Sequence, residues 1–153
     1  MYNRILVAVD GSENALRAVR EAVRMAQGNP DAQISMITAV PLANPVFGYT
    51  PLITPQQVED AERKAEAEVL KKAEEVINQT KQAAELAKKE GLNVQSLVQV
   101  GDPAQTIIEY AAKENQEVIV MGRRGMGVLK ELLLGSVSGK VLQSAPCPVL
   151  LVH

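Results

Sequence analysis

Glycine and serine residues towards the end of the chain are spaced so that they could bind phosphate. Five of the ten glycines fall between positions 122 and 139, where an even spread would place about one. Gly122, Gly125 and Gly127 lie close together, and Gly135-Ser136-Val137-Ser138 follows. Because glycines have no Cβ atom, the backbone N–H groups beside them can turn towards an anion at close range.

A helix predicted to begin near Ser136 adds a second feature of the same kind. The N-terminus of a helix presents free N–H groups and partial positive charge, and Ser136 and Ser138 would add hydroxyl donors. Two such features close together predict a site for more than one phosphate group. The alternative is a flexible glycine loop followed by a serine that only caps the helix.

Other motifs for phosphate binding or catalysis do not fit this sequence. Gly139-Lys140 is followed by Val141 and falls inside the last predicted helix, so it is not a P-loop. Only Gly11 follows the first predicted strand, which excludes the dinucleotide fingerprint. One Cys and one His exclude an intrachain disulfide and a Cys/His zinc site. The net charge of −2 argues against nucleic-acid binding through bulk positive charge.

Short apolar segments rich in β-branched residues alternate with helical patterns along the chain. The predicted strands are residues 4–9, 34–40, 93–100, 117–121 and 148–152. Helices are predicted after the capping residues Ser12, Thr54 and Asp102, and near Ser136. Apolar residues of helical period follow Ser12 and Thr54, and those after Thr54 form one stripe from Val58 to Ala87. This alternation predicts a single α/β domain over residues 1–153, with helices packed on a parallel sheet.

Two segments that follow predicted strands are expected to border one crevice. Asp10-Gly11-Ser12 follows the first strand, and the glycine segment that begins at Gly122 follows the fourth. In open α/β sheets ligands bind outside the carboxyl ends of the strands, where the strand order reverses. The order 3-2-1-4-5 makes strands one and four neighbours, and it is predicted on this ground. Asp10 would then face a ligand, or it would only cap the turn after its strand.

The motif Gly122-x-x-Gly125, followed after nine residues by Gly135-Ser136, resembles the signature of the ATP-binding universal stress proteins. The likeness extends along the chain through the opening ILVAVDGS, the segment GDPAQTIIEYA and the closing APCPVLLV. It implies a Rossmann-like, three-layer α/β sandwich of the adenine nucleotide alpha hydrolase type. It also implies that ATP or AMP binds in the crevice, with any Mg²⁺ held through the phosphates and water.

The resemblance further implies which residues hold the nucleotide. Those at the adenosine end are Val9, Asp10 and the backbone of Val40. Those around ribose and phosphates are Gly122, Gly125 and Gly127, and those on the phosphates are Gly135, Ser136, Val137 and Ser138. Met121 is also assigned to the site. Met121 is also of a type that fills cores. The resemblance also implies a homodimer formed through the last strand, for which Val149 to Val152 would supply an apolar edge. The alternative is an edge that the chain end shields.

The leading hypothesis is a cytoplasmic, homodimeric universal stress protein that binds ATP or AMP as a regulatory module, without a nucleic-acid or membrane partner. The alternatives are a slow ATPase or nucleotidyl-transfer enzyme completed by a protein partner, and a protein-interaction module that binds no nucleotide. Residues 41–54 would cover the ligand or form a plain surface crossover. Arg123 and Arg124 would contact phosphate or face solvent. The long helix after Thr54 would present a solvated face. Cys147 would be an inert apolar group.

Overall fold

A computed structural model of the protein describes residues 1–41, 54–123 and 134–153. Its strands are β1 (Arg4–Ala8), β2 (Gln33–Val40), β3 (Asn93–Val100), β4 (Val118–Gly122) and β5 (Val149–Val152), and its helices are α1 (Glu13–Ala26), α2 (Pro55–Lys89), α3 (Pro103–Lys113) and α4 (Ser136–Ser144). This order is the predicted one, and each strand ends within one residue of its predicted position. The expectations for the 41–54 loop, Arg124, Gly125 and Gly127 fall largely or wholly outside the described residues.

The five strands form one parallel sheet with the order β3-β2-β1-β4-β5, which confirms the predicted topology. β1 lies at the centre and pairs with β2 on one side and with β4 on the other. The register of Val7 with Val120 brings the carboxyl ends of β1 and β4 side by side. The strand order reverses between these two strands, so a crevice opens there.

Three of the four helices begin at residues whose side chains cap them. The Ser12 hydroxyl accepts a hydrogen bond from the backbone N–H of Ala15, and the Asp102 carboxylate accepts one from the N–H of Gln105. Thr54 and Gln57 exchange side-chain to backbone bonds in a capping box. These bonds satisfy N–H groups that have no partner within the helix, so each helix begins where its sequence predicts.

Two apolar layers cover the two faces of the sheet, as a three-layer sandwich requires. On one face, α1 and the end of α2 pack on a cluster that contains Ile5 and Val7. On the other, α3 and α4 pack on a cluster that contains Leu6 and Ile119. Ile5, Leu6, Val7 and Ile119 are fully buried, because successive side chains of a central strand point to opposite faces and both faces are covered.

The 35-residue helix α2 is buried over a shorter part of its length than its apolar stripe predicts. The apolar stripe was predicted from Val58 onwards, but the buried residues of α2 are Thr80, Ala84 and Ala87, near its C-terminal end. Residues 55–68 of the helix, including Val58, are exposed. Across the described ranges, no helix is both long enough and apolar enough to cross a membrane.

Candidate functional site

A cleft of about 510 Å³ lies at the carboxyl ends of β1, β2 and β4. Its volume is in the range of small-molecule sites. Nine of the residues predicted from the resemblance line it, namely Val9, Asp10, Val40, Met121, Gly122, Gly135, Ser136, Val137 and Ser138. The structure therefore brings the turn after β1 and the start of α4 to one crevice, as the sequence predicts. The other two predicted residues, Gly125 and Gly127, lie outside the described residues.

The turn after β1 places Asp10 at the cleft and also uses its carboxylate. Asp10 Oδ1 accepts a hydrogen bond of 2.9 Å from the backbone N–H of Ser12. Gly11 between them has a φ of 81°, a left-handed conformation in which a side chain is disfavoured. The capping role considered for Asp10 is therefore present, and it coexists with a place in the cleft lining.

The start of α4 differs from the starts of the other three helices. Its N-cap residue is Gly135, which makes no side-chain capping bond. The first N–H groups of a helix have no partner within the helix, and the N-cap glycine of α4, having no side chain, supplies none. Gly135 is buried, and Gly135, Ser136 and Val137 all line the cleft. The Gly135 N–H donates to the carbonyl of Arg123, so an anion in the cleft would meet the N–H groups that follow it and the positive end of the helix dipole.

Ser138, although it lines the cleft, is 2% exposed and its hydroxyl contacts backbone carbonyls. Ser138 Oγ lies 2.7 Å from the carbonyl oxygen of Arg123 and 3.1 Å from that of Gly135. Arg123 itself is not among the described residues that line the cleft. Its Nε atom is buried and has no hydrogen-bond partner within the described parts of the chain. Arg123 as a whole is half-buried, and its two sequence-based alternatives stay open.

The part of the cleft formed by the ends of β1, β2 and β4 is mostly apolar. Val9, Ile37 and Met121 are buried and line it, which suits the faces of a flat aromatic base. Val40, at the end of β2, accepts a 2.9 Å hydrogen bond from the N–H of Gly101 at its carbonyl oxygen. A carbonyl oxygen has two lone pairs, so this bond leaves it able to accept one more.

Helix α2 contributes a wall of the cleft that the sequence reasoning did not find. Val69, Lys72, Ala73, Glu75, Val76 and Gln79 line the cleft from this helix. Val69, Ala73 and Val76 belong to the apolar stripe that the helical period does reveal. The period does not predict what the stripe contacts. In the structure part of the stripe lines the cleft and does not pack on the protein core. The solvated-face description of α2 is therefore incomplete.

Two features bear on the chemistry that the described residues can perform. No group of three or more His, Cys, Asp or Glu side chains that could hold a metal ion occurs in the described ranges. The charged residues known to line the cleft are Asp10, Lys72 and Glu75.

Outside the cleft, partial burial raises the pKa of the Cys147 thiol, which disfavours the reactive thiolate.

Comparison with known proteins agrees with this architecture. The family model described as the universal stress protein family matches residues 1–153. The chain is 34% identical over 159 residues to the universal stress protein YxiE of Bacillus subtilis, with 100% of each chain covered. The structure matches UspA from Lactobacillus plantarum with a TM-score of 0.80 and 25% identity, covering 99% of this chain and 98% of that chain.

A universal stress protein solved in complex with cAMP also matches the structure. The TM-score is 0.63 and the identity 25%, over 99% of this chain and 97% of that chain. The matches thus extend over nearly the full length of the chain. The chain belongs to the universal stress protein family.

Proposed function

We propose that this protein binds an adenine nucleotide, AMP or ATP, in the cleft and acts as a nucleotide-dependent regulatory module in stress responses. The observation that carries the proposal is the start of α4, which opens on the cleft at Gly135 without a capping side chain. A helix N-terminus of this kind stabilises negative charge, and its N–H groups can bind phosphate oxygens.

The two ends of the cleft suit the two ends of a nucleotide. The apolar lining from Val9, Ile37 and Met121 would pack against the base, and the Val40 backbone would hydrogen-bond its edge. Asp10 would accept hydrogen bonds from the ribose or the base. Gly122 would let the chain pass close to the sugar, and the backbone N–H groups of Ser136 and Val137, with the exposed Ser136 hydroxyl, would hold phosphate.

The match to a universal stress protein solved with cAMP supports this assignment of the ligand class. Cyclic AMP shares the base, the ribose and one phosphate with AMP. Among the described residues that line the cleft, the uncharged group suited to phosphate is the α4 N-terminus. The charged groups there are the carboxylates of Asp10 and Glu75 and the ammonium of Lys72. This set of groups suits a ligand whose first phosphate lies at α4 while any further phosphates extend outwards.

We propose binding and not rapid turnover as the activity of the isolated protein. The described residues at the α4 end supply N–H groups and hydroxyls, which orient phosphate but accept protons poorly. Any Mg²⁺ that accompanies ATP would be held mainly by phosphate oxygens and water, as this ion prefers. Asp10 is the carboxylate of the β1 turn that could contact such an ion through water.

The proposal includes a homodimer formed through β5 and a cytoplasmic location. β5 (Val149–Val152) is an edge of the sheet, and Leu150 in its centre is 37% exposed. An edge strand with an exposed apolar residue favours pairing with a second copy. The cytoplasm supplies adenine nucleotides, and the single cysteine of the chain makes no demand for an oxidising compartment.

The proposal is tested by identifying the ligand that the protein carries. Freshly purified protein is denatured, and the released small molecules are identified by mass spectrometry. We expect AMP, ATP or a related adenine nucleotide in amounts comparable to the protein. Protein that releases no nucleotide, and retains none after incubation with AMP or ATP and rapid desalting, would contradict the proposal and favour the protein-interaction alternative.

A further inference from the structure

We propose that Ser138 is a positioning residue, which holds the α4 N-terminus against the end of β4, and that it does not donate to the nucleotide phosphate. The inference rests on the proposed function, because it concerns the same α4 phosphate site. It differs from the role that the family resemblance implies for this residue. The evidence is the hydrogen bonding of one backbone carbonyl, that of Arg123.

The carbonyl oxygen of Arg123 accepts two hydrogen bonds from the start of α4. The backbone N–H of Gly135 donates over 2.9 Å, and the hydroxyl of Ser138 donates over 2.7 Å. Arg123 directly follows β4, and its own N–H donates to the carbonyl of Val152 over 2.8 Å. The α4 N-terminus is therefore tied to β4, and through β4 to the edge strand β5.

The hydroxyl of Ser138 has a single hydrogen, and the protein already uses it. Its two acceptors are the carbonyl oxygens of Arg123 and Gly135, and the Arg123 bond is the shorter. Ser138 is 2% exposed, so a hydrogen turned towards a ligand would give up a bond in a buried place. By contrast, Ser136, which directly follows Gly135, is exposed and lines the same cleft.

The position of α4 decides whether its N–H groups meet a phosphate that is held at the β1 and β4 ends. Gly122 and Met121 line the cleft from β4, and Gly135 and Ser136 line it from α4. Hydrogen bonds to phosphate weaken when the donors are displaced or misaligned. The Ser138 contact fixes the distance between these two parts of the site without touching the ligand itself.

The test compares Ser138→Ala, Ser138→Thr and Ser138→Val with Ser136→Ala and the wild type. Thr and Val have nearly the same shape, and only Thr retains the hydroxyl. The first measurement is the hydrogen-exchange rate of the Gly135 amide in ligand-free protein, by NMR. We expect faster exchange in Ser138→Ala and Ser138→Val, near-wild-type exchange in Ser138→Thr, and no change in Ser136→Ala.

The second measurement is the ratio of the affinities for AMP and adenosine, which isolates the phosphate contribution. We expect this ratio to fall roughly 3-fold to 10-fold in Ser138→Ala and Ser138→Val, the effect of about one net hydrogen bond, with recovery in Ser138→Thr. Adenosine affinity should stay unchanged in all three. A general loss of stability would lower both affinities together and would not move the ratio.

Three results would overturn the inference. Unchanged Gly135 exchange in Ser138→Ala with a reduced ratio would show direct contact between Ser138 and phosphate. Faster exchange with an unchanged ratio would show a structural contact that does not position the site. No change in either quantity would show that the contact is unimportant. If the wild type binds neither AMP nor adenosine, the proposed function fails and the positioning role fails with it, while the exchange data still report whether the contact exists.

Discussion

The hydroxyl of Ser138 lies 2.7 Å from the carbonyl oxygen of Arg123, the residue that follows strand β4. Asp10 behaves similarly on the other side of the crevice, where its carboxylate accepts a bond from the backbone N–H of Ser12. Two polar residues expected to contact ligand therefore also hold the backbone of the site in place. The site depends on backbone N–H groups as much as on side chains.

Replacing Asp10 by Asn separates its two roles. The amide oxygen of Asn can still accept the bond from Ser12, so the turn should persist, but the negative charge is lost. We expect an unchanged melting temperature and a loss of nucleotide affinity of about 1.5–3 kcal/mol, the range for a hydrogen bond to a charged group. Calorimetric titration with AMP and a thermal melt measure the two quantities.

The control for this pair of roles is Asp10→Ala, which removes the turn contact as well. We expect it to lower both affinity and melting temperature. If Asp10→Asn binds AMP as tightly as the wild type, then Asp10 is only a turn residue.

The wall formed by α2 predicts that a large side chain on this helix blocks binding. Val76 is half-buried and lines the cleft, so Val76→Trp should fill part of the space for the ligand. We expect AMP affinity to fall by at least about tenfold, or 1.4 kcal/mol, with little change in the free energy of unfolding. Fluorescence or calorimetric titration and urea denaturation provide these numbers.

Ala67→Trp is the matched control, because Ala67 is an exposed residue of the same helix that is not among the cleft-lining residues. It should bind AMP normally. Equal affinities for Val76→Trp and Ala67→Trp would place the ligand away from α2.

The proposed dimer predicts a difference between the two edges of the sheet. Leu150→Lys places a charge in the centre of β5, whereas Val98→Lys places one in β3, where Val98 is 45% exposed. We expect the first variant to sediment as a monomer and the second to remain a dimer, because a charge on an edge strand opposes pairing there. Analytical ultracentrifugation over a range of concentrations decides between them. A monomeric wild type, or a dimer lost only in Val98→Lys, would refute pairing through β5.

The raised pKa of Cys147 predicts a shifted pH dependence of its reactivity. Desolvation disfavours the thiolate, so the folded protein should be alkylated by iodoacetamide with a midpoint at higher pH than the urea-unfolded chain. The same shift makes the folded state relatively less stable as pH rises through the unfolded pKa towards the folded pKa, since the unfolded thiol releases its proton first. The midpoint, unlike the absolute rate, does not depend on simple access of the reagent. A folded-state midpoint at or below the unfolded one would contradict this account.

The sequence predicts the fold well because its signals are local. The strands stand out as short apolar runs, and the helices begin at Ser12, Thr54 and Asp102, whose capping bonds involve residues only three positions away. The crevice follows from the strand order, so the sequence predicts that Asp10 and Gly135 border the same cleft.

The parts that the sequence does not predict depend on contacts between distant segments. The period of α2 reveals the side that carries Val69, Ala73 and Val76, but the angle of the helix over the sheet decides what that side meets. The bond from Ser138 to Arg123 spans 15 positions, and nothing in the residue types distinguishes it from a bond to a ligand. Serine hydroxyls serve both purposes equally well.

The central claim is that the cleft binds an adenine nucleotide with its phosphate at the start of α4. Calorimetric titration of nucleotide-stripped protein with AMP, ATP and adenosine tests this claim most directly. We predict a dissociation constant well below about 1 mM for AMP or ATP, and binding of adenosine weaker by roughly tenfold, the scale of a phosphate at a helix N-terminus. Dissociation constants of about 1 mM or higher for both nucleotides would contradict the account, as would adenosine binding as tightly as AMP.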